Sequence, residues 1–191
     1  MKQLPNILSM LRIVISPVFF ILVISQNPKL VCLSLPLFII GAITDYFDGW
    51  FARRMKAVTR FGKFFDPLAD KFLTGAAFLA FVVLSIIPLW MVLIIIFRDV
   101  LTTSMRFMPF GQNKPIETSF SAKIKTFVQM TFIIIVLLAI TLIYCPIWGI
   151  DKSSLVSFIY SDFIYYSMFS IVILTLWTLA EYSNQLKKES A

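Results

Sequence analysis

The chain has 191 residues, enough for one domain of ordinary size; 59% of them are apolar and only 14% charged, against roughly 45–50% and about 25% in soluble domains. The absence of His excludes a His-based triad, a His metal site or a phosphohistidine step. The two Cys, both inside apolar runs, exclude a disulfide scaffold and a Cys-based zinc site. Seventeen Lys and Arg against ten Asp and Glu give a net charge of +7. In so apolar a chain, that excess points to positive-inside topology and to anionic phospholipid or phosphate partners before nucleic acid.

Charge-free stretches locate the membrane spans: 13–28, 30–44, 72–97, 126–150 and 163–180. A span needs about 20 mostly apolar residues, so the first two helices must run past a charge at one end. Helix 1 is expected over 8–26 and helix 2 over 29–53, which places Asp45 and Asp48 near the far end of helix 2. The run 72–97 reads either as one long span or as two helices turning at Ser85-Ile86-Ile87-Pro88. The flanking charges favour the turn. Six basic residues lie in 53–71 and five in 98–125, and only a hairpin puts both clusters on the cytoplasmic side.

The expected fold is therefore all-α, an integral membrane domain of six transmembrane helices (8–26, 29–53, 66–86, 88–107, 122–146 and 160–184) with both termini cytoplasmic. In that arrangement 15 of the 17 basic residues are cytoplasmic, and only Lys29 and Lys152 lie outside. Residues 107–121 read as a cytoplasmic loop, broken by Pro109, Gly111 and Pro115. No internal repeat or second domain is evident, so a single domain is expected over 1–191. No cleavable signal peptide is expected, because Arg12 interrupts the start of the first apolar run. Trp148, Tyr160, Tyr165 and Tyr166 suit the outer interface. Cys32 and Cys145 fall near the outer ends of their helices, where a disulfide between them is one reading and buried free thiols the expected one.

Four of the ten acidic residues lie within 26 positions: Asp45, Asp48, Asp66 and Asp70. Intramembrane carboxylates are costly and mark function by default. Asp45 and Asp48 are i,i+3 and Asp66 and Asp70 are i,i+4, so each pair shares one helix face. Gly49 and Ala52 follow on the same stripe, where small residues admit either a bulky ligand or a close helix neighbour; Arg53 can swing toward the same pocket. Two antiparallel helices presenting these carboxylates make an all-oxygen box suited to Mg²⁺ or Mn²⁺. Four carboxylates exceed the needs of one Mg²⁺, so a binuclear site is the natural reading, and such sites favour displacement at phosphorus. One carboxylate would remain to take a proton from an attacking hydroxyl.

Asp45-Tyr46-Phe47-Asp48-Gly49-Trp50-Phe51-Ala52-Arg53, then eight residues, then Gly62-Lys63-Phe64-Phe65-Asp66-Pro67-Leu68-Ala69-Asp70 resembles the signature of the CDP-alcohol phosphotransferases. The resemblance implies a six-helix membrane fold and a homodimer. It implies transfer of a phosphatidyl group from CDP-diacylglycerol to an alcohol, with release of CMP. It also implies that Asp45, Asp48 and Asp66 ligate metals, that Asp70 is the general base near the second metal, and that Gly49, Ala52, Arg53 and Gly62 line the CDP site. The segment from Leu4 to Arg12, together with Lys71, Arg98-Asp99, Thr103, Arg106, Lys123, Lys125, Thr126 and Gln129, resembles the phosphatidylglycerophosphate synthase branch, whose acceptor is glycerol-3-phosphate.

The remaining polar groups keep two readings each. Arg98 either caps carboxylates of the site or binds the acceptor; it is adjacent to Asp99, so the two are not expected to face each other. Arg106, Lys123 and Lys125 either anchor lipid headgroups or cradle the acceptor's phosphate. Asn6 and Arg12 either close the cytoplasmic mouth and touch CDP, or sit at the membrane interface. The expected location is the cytoplasmic membrane, with the site facing the cytoplasm. Rival functions are a eukaryotic-type cardiolipin synthase, a phosphatidylinositol-phosphate synthase and, from another class, a metal-ion transporter. A transporter would need polar groups through the whole membrane depth, and the outer halves of these helices are almost purely apolar.

Overall fold

The computed structural model describes the backbone of residues 4–55, 60–107, 120–145 and 151–190, and the side chains of 10–44, 71–104, 120–145 and 151–184. Among these residues all regular structure is helical: α1 (Leu4–Val23), α2 (Pro28–Met55), α3 (Arg60–Val83), α4 (Leu89–Phe107), α5 (Phe120–Tyr144), α6 (Lys152–Ile159) and α7 (Asp162–Ser190). Six are long and α6 is short. Phe120–Tyr144 and the α6–α7 stretch Lys152–Asn184 are long and apolar enough to cross a membrane; Met10–Val23, Pro28–Thr44 and Lys71–Val83 are shorter apolar segments. Val14, Ile21, Phe97, Phe127 and Trp177 all face outward and are more exposed than buried. Apolar outer faces on α1, α4, α5 and α7 need an apolar medium.

Local chemistry sets the helix ends. Helix α1 stops at Val23, earlier than expected, because α2 begins at once: Asn27 Oδ1 accepts the Lys29 N–H (3.1 Å) and Pro28 takes the first helical position. Helix α3 ends in a left-handed residue, Ser85, with φ 58°. The Ile86 N–H bonds to Phe81 O and the Ser85 N–H to Val82 O, both at 2.9 Å, the paired closure of a Schellman motif with Ser in place of the usual Gly. The long apolar run is thus two helices turning just before Pro88. Helix α6 was not expected. Asp151 caps it, accepting the Ser153 N–H at 3.2 Å and the hydroxyls of Ser153 and Ser154. The expected start of the last helix at 160 moves to Asp162, because Tyr160 and Ser161 form the turn between α6 and α7. The loop expected over 107–121 falls, at 108–119, outside the described residues, as does Trp148.

Helix α1 packs on α2 and α3, α5 on α2 and α7, and α4 on α3 and α7. Aromatic pairs mark two of these seams, Phe19–Phe38 between α1 and α2 (5.3 Å) and Trp90–Phe169 between α4 and α7 (6.3 Å), and a third, Phe78–Phe132 (6.4 Å), joins α3 to α5. Phe78, Phe81, Ile133, Leu137 and Met168 fill the centre. At one end of the bundle, Tyr160 Oη donates to Leu84 O (2.9 Å), tying the α6–α7 turn to the α3–α4 turn.

The expectation of free thiols is overturned at this same end. Cys32, in the second turn of α2, and Cys145, just past α5, form a disulfide with Cα atoms 6.0 Å apart. That spacing lies in the ordinary range for the bond. Two cysteines 113 residues apart in sequence meet because α2 starts and α5 finishes at one end of the bundle.

Candidate active site

Helices α2 and α3 carry the motif, and one contact fixes their register. A Cβ added to Gly41 of α2 would lie 2.8 Å from Leu73 Cδ2 of α3. Gly41 precedes the end of α2 at Met55 by fourteen residues, and Leu73 follows the start of α3 at Arg60 by thirteen. The helices therefore run in opposite directions from residues 56–59 and meet at this depth. Asp48 and Asp66 lie seven and six residues from that segment, and Asp45 and Asp70 both lie ten. At about 1.5 Å per residue, these are depths of roughly 10 Å and 15 Å. Asp45 is one turn from Gly41, and Asp70 is one turn from Leu73. The backbone so places all four positions toward one end of α2 and α3, with Gly49 at the depth of Asp66 and Ala52, Arg53 and Gly62 closer still to the join. The side chains of these residues lie outside the described set, as do those of Asn6 in the first turn of α1 and Arg106 in the last turn of α4.

The described part of this end is a buried polar network centred on Asp99. Lys125 Nζ donates to both carboxylate oxygens of Asp99 (2.9 and 3.2 Å), and Arg98 Nη1 donates to Oδ1 (3.0 Å). Arg98 and Asp99 therefore do meet, contrary to the expectation from their adjacency: the long guanidinium arm curls back around the helix. Arg98 Nη2 donates to Thr178 Oγ1 of α7 (2.8 Å). Lys71 Nζ donates to the backbone carbonyl of Asp99 and to Thr103 Oγ1, both at 2.6 Å. One residue of α4 thus gathers cations from α3, α4 and α5, and through Arg98 reaches α7. Lys125 is only 4% exposed, so in this structure it is held inside and does not reach headgroups. Lys123 is exposed. It stands two residues from Lys125 and so lies on another face of α5. Arg12 is buried in α1.

The sequence does carry a signal for this cluster. Asp99 is the sole carboxylate between 71 and 116, and a lone acid in an apolar helix demands a cation.

Residues 2–177 match the family model described as CDP-alcohol phosphatidyltransferase. The chain belongs to the CDP-alcohol phosphatidyltransferase family. A relative from Bacillus subtilis, a CDP-diacylglycerol–glycerol-3-phosphate 3-phosphatidyltransferase, is 36% identical over 142 residues, covering 68% of this chain and 74% of its own. One of the same name from Rickettsia typhi is 37% identical over 138 residues, covering 72% of this chain and 78% of its own. A third, from Rickettsia prowazekii, is 36% identical over 137 residues, covering 72% and 76%. The match to the CDP-alcohol phosphatidyltransferase family runs through both halves of the motif, residues 45–53 and 62–70.

Proposed function

We propose that this chain, acting as a single domain, transfers the phosphatidyl group of CDP-diacylglycerol to glycerol-3-phosphate, giving phosphatidylglycerophosphate and CMP. The observation that carries the reading is the register of α2 against α3, which supports one shared site for the four Asp positions of the family motif. That donor set fits divalent metal: it is all-oxygen, pairwise on one helix face, and free of His. Asp45, Asp48, Asp66 and Asp70 would hold Mg²⁺ or Mn²⁺, two ions in all. Such ions supply neutralisation of the donor's diphosphate and of the departing CMP.

The protein's own residues do the rest. Gly49, Ala52 and Gly62 leave room beside the backbone for the CDP moiety, with Arg53 and Asn6 as its polar contacts. Arg106 and Lys123, at the ends of α4 and α5, receive the acceptor's phosphate, with Arg98 and Lys125 behind them on Asp99. The attacked hydroxyl is the one farthest from that phosphate. Its oxygen bonds to the phosphatidyl phosphorus, the bond from that phosphorus to CMP breaks, and the proton passes to the Asp70 carboxylate. The chain crosses the cytoplasmic membrane six times, with both termini and the site on the cytoplasmic side, and works as a homodimer.

The test is CMP release by the purified protein from CDP-diacylglycerol with a panel of acceptors. Glycerol-3-phosphate should be used and free glycerol should not, and excess EDTA should stop turnover. Faster release with glycerol, serine or inositol would overturn the acceptor assignment. A preference for phosphatidylglycerol would replace it with cardiolipin synthesis, and full turnover in EDTA would remove the metals.

A further inference from the structure

Lys71 stands on α3 directly after Asp70, and its ammonium is bonded to α4. Nζ donates to the Asp99 carbonyl and to Thr103 Oγ1, both at 2.6 Å. Thr103 Oγ1 in turn donates its one hydrogen to the same carbonyl (2.7 Å). The three groups close a ring, with the turn of α3 that carries Asp70 on one side and a turn of α4 on the other.

Apolar packing between α3 and α4 is interrupted beside this ring. A cavity of about 740 Å³ opens there, lined by Gly75 and Leu79 of α3, by Ile96 and Val100 of α4 and by residues of α1. A Cβ added to Gly75, one turn from Lys71, would meet nothing within 4 Å. The hairpin itself closes only at Ser85, fourteen residues from both Lys71 and Asp99, or roughly 20 Å along a helix. The depth of Asp70 against α4 therefore depends on the ring.

The carboxylate of Asp99 faces other partners. It takes Lys125 of α5 (2.9 Å) and Arg98, which reaches Thr178 of α7. One residue of α4 thus joins the helix of Asp70, through its carbonyl, to α5 and α7, through its carboxylate.

We infer that Lys71 and Thr103 are positioning residues for the transfer: they hold the backbone at Asp70 at the distance from the acceptor that proton transfer requires. The inference deepens the transferase reading and rests on it. Both residues act through Asp70, where a misplacement of about 1 Å slows reaction by on the order of 10²-fold.

The test is a double-mutant cycle on CMP release by the full chain from CDP-diacylglycerol and glycerol-3-phosphate. Thr103→Val keeps the side chain's shape and removes both of its hydrogen bonds. It should lower kcat by roughly tenfold or more, with KM for either substrate changed by less than about twofold. Thr103→Ser, which keeps the hydroxyl, should restore most of the rate. In an Asp70→Asn background, followed by single-turnover rates, Thr103→Val should slow transfer by less than about twofold further, because the group it positions is gone.

Equal slowing in both backgrounds would overturn the inference and make the ring a structural seam alone. An unchanged rate in Thr103→Val would overturn it too, as would a loss that falls on KM instead of kcat. Lys71→Met runs the same cycle from the other partner and should be similarly silent on Asp70→Asn; if it does not fold, Thr103→Val decides, since it leaves the ammonium bonded to the Asp99 carbonyl. No CMP release by the wild type would overturn the transferase reading and this inference with it. Normal wild-type turnover without coupling between positions 103 and 70 would overturn the inference alone.

Discussion

Removing the Asp99 carboxylate should be the most damaging single change among the described polar residues. In Asp99→Ala, the Lys125 ammonium loses contacts at 2.9 and 3.2 Å, and Arg98 loses one at 3.0 Å. Lys125 is 4% exposed, so water cannot replace what is lost. Breaking a buried pair by deleting one partner costs about 3–5 kcal/mol. At roughly 2–4 °C per kcal/mol for a chain of this size, the melting temperature should fall by roughly 6 °C or more. The bond from Lys71 to the Asp99 carbonyl survives the substitution, so the loss belongs to the carboxylate and not to the α3–α4 seam. Asp99→Ala combined with Lys125→Met should recover much of the stability, since an apolar replacement removes the stranded charge. The assay is thermal unfolding in detergent, followed by size-exclusion with fluorescence detection. A melting temperature for Asp99→Ala within about 1 °C of the parent would refute the network's structural role, as would strict additivity of the two changes.

The other expectations concern the bundle's two ends. Gly41→Leu forces a side chain into the space held by Leu73, which is fully buried. It should cost about 1–3 kcal/mol and lower CMP release by shifting α2 against α3; an unchanged melting temperature and rate would count against the register described above. Asp70→Asn should keep CDP-diacylglycerol binding while slowing transfer by roughly 10²–10⁴-fold, measured as a binding isotherm beside single-turnover rates; equal losses would make Asp70 chiefly a metal ligand. Cys32→Ser should lower stability by about 2–4 kcal/mol, and maleimide should label the wild-type cysteines only after reduction. The Asp151 carboxyl is held below its ordinary range, first by the Ser153 side chain and N–H, then by Ser154. Because its folded value is depressed, its support for α6 is complete above the unfolded carboxylate range and fades as pH falls through the lower folded value. Acid titration of the helical signal should lose that step in Asp151→Ala.

Much of the helical layout was legible because charge and hydrophobicity act locally. The run 72–97 contains no charge, yet the basic clusters on either side already favoured a turn near Pro88, and Ser85 makes it. Helix α4 matches its expected bounds within a residue. Helix α6 is not legible in this way, because Lys152, Ser153 and Ser154 read as loop; what makes them helical is the cap from Asp151, a side-chain geometry that hydropathy does not register. Helix α3 starts at Arg60, six residues before its expected beginning at 66, since basic residues that flank a span can still continue its helix.

The four Asp positions, their pairing by helix face and the family they signify follow from spacing along the chain, because residues three or four apart share a face in any helix. The facts that depend on distant segments meeting do not follow from spacing. Cys145 reached Cys32, and Lys125 reached Asp99 across 26 residues, through the way α2, α4 and α5 stack. Arg98 was left with two roles open by the sequence; the fold gave it Asp99 and Thr178 as partners. Gly41 and Gly75 are the same residue in similar apolar surroundings, yet a Cβ at the first would strike a neighbouring helix and one at the second would meet nothing within 4 Å. A side chain's partner is set by which helices pack together, and packing is a property of the assembled bundle, where burial forces each polar group to find whatever counterpart the neighbouring helices bring.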